Sequence, residues 1–209
     1  MIIQTTRNIT RTAAIAAALL ALTTLSACSS GGSLAVRGSL NQQAVLAGNF
    51  TTGVYAYHDP NTLDIVLADG EPESASQIVH IRMHWRPVAG ATPVDQRSTN
   101  ATVHYLVFAP QATGVYTGAG FLFPRARPGK PTFNGELRST ALRLADASEN
   151  FDDRLGLAEA TGGFSVTLDQ SATLQILKTA QSRLHQQLGY PRFVLDETNI
   201  TIQPTLAAR

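Results

Sequence analysis

The stretch "QIVHIRMHWRPV" at residues 77–88 alternates apolar and polar side chains almost without interruption. A period of two is the pattern of a β-strand that has one face on a hydrophobic core and the other towards solvent. The apolar face consists of Ile81, Met83 and Trp85, and the polar face consists of His80, Arg82, His84 and Arg86. The stretch therefore predicts a half-buried strand and indicates a β-rich fold.

Strand-like segments continue on both sides of this stretch. Residues 50–57 and 62–68 are predicted to form a hairpin around His58-Asp59-Pro60-Asn61, because Pro fixes φ and Asx side chains cap the local backbone. Residues 98–110 and 113–125 are predicted as two strands joined at Pro110-Gln111-Ala112. Weaker strands are predicted within 133–146 and 155–160, a firmer strand at 163–169, and a last strand at 193–202.

One amphipathic helix is predicted at about residues 171–188, before that last strand. Asp169 or Ser171 supplies an N-cap, and Gly189 followed by Pro191 ends the helix. Its apolar stripe consists of Leu174, Leu177, Leu184 and Leu188. The predicted class is mainly β, or α+β: an antiparallel sheet or β-sandwich of about seven to nine strands with a helix packed on it.

The N-terminal segment has a different character. Residues 1–11 contain Arg7 and Arg11 and no acid, and residues 12–24 contain no charge, Pro or Gly. A basic region followed by such an apolar run is typical of a secretory signal, and the run is shorter than the ~20 residues that span a bilayer. The next four residues, Leu25-Ser26-Ala27-Cys28, include the single cysteine of the chain.

These four residues resemble the lipobox of bacterial lipoproteins, in which small residues precede a cysteine that becomes the mature N-terminus. The resemblance implies that Cys28 carries a diacylglyceryl group, that the signal is cut before it, and that acyl chains attach the protein to a membrane of the bacterial cell envelope. Ser29 stands where an aspartate commonly retains lipoproteins in the inner membrane of enteric bacteria. If the host has two membranes, this favours the outer membrane, facing the periplasm.

The resulting domain prediction has three parts: a cleaved signal peptide at 1–27, the lipidated cysteine and a tether at 28–48, and a single β-rich globular domain at 49–209. Part of the tether, around residues 34–36, has the alternative of docking as an edge strand. Arg7 and Arg11 are the only charged residues of 1–27, so its removal leaves 14 basic residues against 15 acidic ones. A nearly neutral domain is not typical of a nucleic-acid-binding protein, and none is predicted as a partner.

Histidines are the first candidates for chemistry. His80 and His84 share a strand face but stand about 13 Å apart at ~3.3 Å per residue, too far to bind one metal ion together. His104, on the next strand, lies opposite one of them if the register is suitable. We interpret this polar face as solvent-exposed; the alternatives are recognition of an anionic group by His80, Arg82, His84, Arg86 and His104, or, less favoured, a metal site. No cofactor or metal is predicted.

Other motifs are weaker. Asp146, Ser148, Asn150 and Asp152 alternate like calcium ligands, but Phe151 and Leu157 occupy the positions of the required glycine and acid, which favours a solvated loop. The sequence contains no Gly-x-Ser-x-Gly, P-loop, HExxH or CxxC motif. Tyr55 and Tyr57 share one strand face, as sheet core or, alternatively, as an aromatic platform.

These observations favour a lipid-anchored envelope protein whose β-rich domain binds or scaffolds another envelope component without performing catalysis. The first alternative is a lipoprotein hydrolase that uses His80, His84 or His104. The second is a carrier of a small apolar ligand, in which the helix closes a curved sheet over a cavity.

Overall fold

The computed structural model describes residues 30–39, 45–84, 99–125 and 129–190. Within these ranges the chain forms nine strands followed by one helix: β1 Gly31–Gly38, β2 Val45–Phe50, β3 Thr52–Asp59, β4 Thr62–Ala68, β5 Gln77–Met83, β6 Ala101–Ala109, β7 Ala112–Pro124, β8 Thr132–Ala147, β9 Ala158–Leu168 and α1 Gln170–Leu188. The β-rich α+β class and the C-terminal helix are thus confirmed.

All nine strands belong to one mixed sheet, in the order β2-β1-β9-β3-β4-β5-β6-β7-β8. The strand β9 closes this sheet on itself, since one of its edges pairs with β8 and the other is shared between β1 and β3. Pairing is antiparallel except between β3 and β9, which run parallel at Val54–Thr167 and Tyr55–Leu168. The result is a closed cylinder of strands rather than a sandwich of two sheets.

Alternating side chains fill the interior of the cylinder. On β4, for example, Leu63, Ile65 and Leu67 are fully buried inside. Aromatic rings pack against one another there, with the centroid of Tyr55 lying 5.6 Å from that of Phe133. Tyr55 and Tyr57 therefore belong to the core. The largest fully buried side chains of the interior come from β3 to β8: Tyr55, Tyr105, Phe133, Leu63, Ile65, Leu67, Ile81, Met83, Leu122 and Leu137.

The helix α1 builds a second core on the outside of the cylinder. Its buried residues Ile176, Leu177, Ala180 and Leu184 pack on outward-facing side chains of five strands: Val54, Val66, Ala68, Ile78, Leu106, Phe108 and Val115. Asp169 caps the helix by accepting from Ala172 N–H at 2.8 Å, and the left-handed Gly189 ends it. None of the described helices is both long and apolar enough to cross a membrane.

The two predicted hairpins are confirmed. The β3–β4 turn is stabilised by Asn61 N–H, which donates to Asp59 Oδ1 at 2.7 Å, and β6 turns into β7 at Pro110 and Gln111. The strand predicted within 133–146 is confirmed as β8, whereas the segments predicted at 155–160 and 163–169 form one long strand, β9, which is paired along both edges. The predicted last strand at 193–202 lies outside the described residues.

The N-terminal part of the domain differs from the prediction. Residues 31–38 and 45–48, predicted as part of a tether, are strands of the sheet, and β1 is paired on both sides by β2 and β9. The physical reason is burial: Leu34 and Val36 point into the interior and are 2% and 1% exposed. The alternative of a strand around residues 34–36 is therefore confirmed, but not its position at an edge, because β1 lies between β2 and β9.

Close backbone approach explains two glycines. A Cβ atom on Gly118 would clash with the carbonyl oxygen of Ala141 on β8. Gly162 on β9 has φ +153° and lies against β1, so an added Cβ would meet Ser33 O and lie 2.8 Å from Leu34 Cα. The contact between β1 and β9 thus requires a residue without a side chain at position 162.

We expect Gly162→Ala to lower the free energy of unfolding by about 2–4 kcal/mol, because the new methyl group clashes with β1 and its backbone conformation is strained. Gly163→Ala is the matched control, since its Cβ would meet only Gly135 O, at 3.8 Å. Urea unfolding followed by circular dichroism measures both variants. Equal stability of the two would contradict the close packing of β1 on β9.

Candidate functional site

A buried carboxylate on the outer face of the cylinder organises the main polar cluster. Because Leu63, Ile65 and Leu67 point inward, Asp64 points outward, on the same face of β4 as Val66 and Ala68. Val66 and Ala68 lie in the core that α1 covers, whereas Asp64 is nearer the other end of β4. Asp64 is nevertheless only 3% exposed, so its charge needs partners within the protein.

Three side chains from the neighbouring strands meet this carboxylate. Arg82, its cross-strand partner on β5, places Nε 2.8 Å from Oδ1 and donates a charge-assisted hydrogen bond. His80 Nε2 lies 2.8 Å from the same oxygen, and His58 Nδ1 on β3 lies 3.2 Å from Oδ2. Asp64 therefore links three consecutive strands by their outward-facing side chains.

Burial acts to raise the pKa of Asp64, because a charged carboxylate loses its hydration there. The hydrogen bonds and positive charges of His80 and Arg82 act in the opposite direction and outweigh this effect. The pKa of Asp64 is consequently well below its usual range. The carboxylate is ionised at neutral pH and acts as the acceptor at the centre of the cluster.

The cluster extends to β6 through stacked imidazoles. His104 is the cross-strand partner of His80, and the two rings lie 5.9 Å apart between centroids with an interplanar angle of 18°. Beyond His104 the same row continues to Thr117 on β7 and Arg143 on β8. This row crosses the outer face of four adjacent strands.

The structure therefore brings together three of the five residues that the sequence proposes, His80, Arg82 and His104. His84 is exposed just beyond the end of β5, where its N–H donates to Asn100 O at 3.0 Å, and Arg86 lies outside the described residues. The expected solvent-exposed face is wrong at His80, which is 6% exposed, because the ring is enclosed with Asp64 and His104.

Sequence reasoning missed Asp64 and His58. A signal for Asp64 was present, since "TLDIVLA" places one acid among apolar residues on a strand with both faces buried. A lone carboxylate in such a strand requires a positively charged or hydrogen-bonding neighbour. His58 gave no comparable signal, because it belongs to the predicted turn.

Chemically, the cluster is an enclosed network around the Asp64 carboxylate rather than an open site. Among the described residues, no three His, Cys, Asp or Glu side chains are spaced to hold a metal ion. The bond between Asp64 and His80 has the geometry with which a carboxylate orients an imidazole base. Both side chains are buried, however, and the direct consequence of the network is to bind β3, β4 and β5 together.

The acidic loop between β8 and β9 is held by its own hydrogen bonds. Asp153 accepts from Tyr116 Oη at 2.8 Å and from the N–H groups of Leu155 and Gly156 at 3.0 and 3.1 Å. Asp152 pairs with Arg154 at 2.8 Å. Asp153 thus fixes the loop to Tyr116 on β7, whereas Asp152 pairs within the exposed loop.

We expect Asp64→Asn to lower the free energy of unfolding by about 3 kcal/mol at pH 7, because it leaves the buried His80 and the partly buried Arg82 and His58 without their anion. The folded pKa of Asp64 lies below the unfolded value, so its stabilisation is present above about pH 4 and is lost as the pH falls. Denaturant unfolding from about pH 5 to about pH 3 should therefore show a smaller loss in the variant than in the wild type.

Asp152→Asn is the control for this prediction. Its ion pair with Arg154 is largely exposed, with side chains 73% and 81% accessible, so removing it should leave the stability essentially unchanged. If Asp64→Asn were as mild as Asp152→Asn, the network would not support the fold as described.

Comparison of the chain with protein-family models, with curated proteins and with solved structures found no match. The roles assigned below are therefore derived from the residues and geometry of this chain.

Proposed function

We propose that this protein is a lipid-anchored component of the bacterial cell envelope, attached through Cys28, whose closed sheet binds another envelope protein. The observation that carries the proposal is the position of β1. This strand begins at Gly31, three residues after Cys28, and is paired on both edges. Cleavage before Cys28 would therefore leave the whole described sheet intact and would place the acyl chains beside its first strand.

The short connection has a geometric consequence. Three extended residues reach at most about 11 Å, so a lipid on Cys28 would hold the start of β1 at the bilayer surface. One acyl chain binds a membrane only marginally, whereas two or more anchor it stably. The domain would then work close to the membrane rather than at the end of a long flexible tether.

An open strand edge supports the binding role. The strand β2 lies at an edge of the sheet, because within the described ranges only β1 pairs with it. Its sequence, "VLAGNF", contains neither charge nor proline, the usual features that protect an edge from adding another strand. Val45 on this strand is 50% exposed. We propose that an extended segment of the partner protein pairs with β2 and places an apolar side chain near Val45.

The two alternative functions receive less support. A carrier of a small apolar ligand needs an internal cavity, whereas Tyr55, Tyr105 and Phe133 are fully buried side chains that fill the described interior. A hydrolase would use the hydrogen-bonded pair of Asp64 and His80, which is the observation in its favour. Their burial separates that pair from the surface that a substrate would reach.

Metabolic labelling with an alkyne palmitate analogue tests the anchor. We expect the wild type and Ser29→Ala to incorporate the label in a bacterial host, and Cys28→Ala to remain unlabelled because the acyl-bearing sulfur is missing. Equal labelling of Cys28→Ala would contradict lipidation at this residue.

Site-specific photocrosslinking in intact envelopes tests the binding edge. A photoreactive residue at position 45 should give one discrete adduct, and Ala47→Lys should abolish it because a charge on β2 disfavours strand addition. The control places the same residue at Ser182, on the exposed side of α1, where no such adduct is expected. Matching adducts at both positions, or an adduct that survives Ala47→Lys, would contradict pairing at β2.

A further inference from the structure

We infer that the outer side of β1, β8 and β9 lies against anionic phospholipid headgroups of the membrane that the acyl chains on Cys28 enter. This inference rests on the proposed lipid anchor. The contact surface is called the cationic face below. It consists of the outward-facing side of β1, of β9 and of β8 as far as Arg143, with the residue Lys130 that precedes β8. Its cations are Arg37, Arg125, Lys130, Arg138 and Arg143.

The charges of the described residues are divided unevenly over the surface. The cationic face contains five cations and only two carboxylates, Glu136 and Glu159. The remaining described residues combine four cations with ten carboxylates. These ten carboxylates lie mainly in the loops and around the helix: Asp59, Asp64, Asp69, Glu71, Glu73, Asp146, Glu149, Asp152, Asp153 and Asp169. A molecule with this asymmetry is attracted to an anionic surface by one side and repelled by the other.

Strand register places this face beside the start of β1, the strand that follows the proposed anchor at Cys28. Gly31 at the start of β1 is the partner of Ser165 on β9, which is the partner of Asn134 on β8, and Arg125 N–H donates to Asn134 O. With strands about 4.8 Å apart, Arg125 lies about 14 Å across the sheet from Gly31. The span from Gly31 to Cys28 is at most about 11 Å. The start of β1 and Arg125 therefore belong to one side of the molecule, and the proposed point of lipid attachment is within that short reach of it.

Two arginines of the cationic face are held outward by Glu136. Arg125 Nη2 contacts Glu136 Oε2, and Arg138 Nε donates to Glu136 Oε1 at 2.8 Å. The side chains of these two arginines remain 67% and 56% accessible, so their charges are available to phosphate groups. Glu136 neutralises only one of the two guanidiniums, and the group keeps a net positive charge.

The surface between these cations is also suited to a planar partner. The outward positions Ser33 on β1 and Thr161, Gly163 and Ser165 on β9 are small and uncharged. Side chains of this size do not hold the backbone of the sheet away from a flat surface. Small residues are not a lipid site by themselves, and here they allow the surrounding arginines and lysine to reach headgroups at the same time.

The test uses the mature chain without its lipid, residues 28–209 with Cys28→Ser, and vesicles of phosphatidylcholine with or without phosphatidylglycerol. We expect sedimentation with the phosphatidylglycerol vesicles only, and weaker binding as salt is raised. The variant Arg37→Gln/Lys130→Gln/Arg143→Gln should bind at least about tenfold more weakly. These three side chains are outside the ion pairs described above, and circular dichroism verifies that the variant is folded.

The matched control removes two cations from elsewhere, Arg154→Gln/Lys178→Gln, and should bind like the unsubstituted chain. The inference is overturned if phosphatidylglycerol gives no binding, if the control loses as much affinity as the triple variant, or if the chain binds an acidic polysaccharide but not the vesicles. Since the chain tested carries no lipid, failure here leaves the palmitate labelling of Cys28 as a separate result on the anchor.

Discussion

The closure of the sheet by β9 is the constraint on which the rest of the structure depends. This strand must pair with β8 along one edge and with both β1 and β3 along the other, so its backbone is in contact with three strands at once. Gly162 allows the close approach of β1 at this junction. Closure gives the inward-facing side chains a common interior, and it fixes the N-terminal strand beside the C-terminal one.

Closure also determines what lies outside. Part of the outward face of β3 to β7 is too apolar to remain exposed to water. The helix α1 covers that part with Ile176, Leu177 and Leu184. Nearer the other end of β4, the same face carries Asp64, which is hydrogen-bonded to His80 and Arg82 and contacted by His58. Among the described residues, the outer side of β1, β8 and β9 has no covering helix, and its outward positions are mostly small or cationic, with two carboxylates at Glu136 and Glu159.

Local sequence patterns predict the local structure of this chain, but they do not predict which strands pair when those strands are distant in sequence. The alternation of residues 77–83, the Asx–Pro turn before β4 and the capped helix were all readable from the sequence. The closure was not, because the glycines of β1 and β9 weaken the alternation of both strands and their partners are distant in sequence. The sequence predicts part of the polar cluster, since His80 and His104 lie on neighbouring strands. It does not predict Asp64, because Asp64 joins the cluster only through the register between β4 and β5.

If Cys28 carries the proposed lipid, only Ser29 and Ser30 separate the anchor from β1, and the membrane, the cationic face and the β2 edge would then have a defined relation. Hydrogen–deuterium exchange of the full mature protein in vesicles tests this directly, by comparing residues 33–37 of β1 with residues 160–166 of β9. The account predicts slow exchange in both segments, protected to the same extent by their mutual pairing. Rapid exchange of residues 33–37 beside a protected β9, as a flexible tether would give, would contradict it.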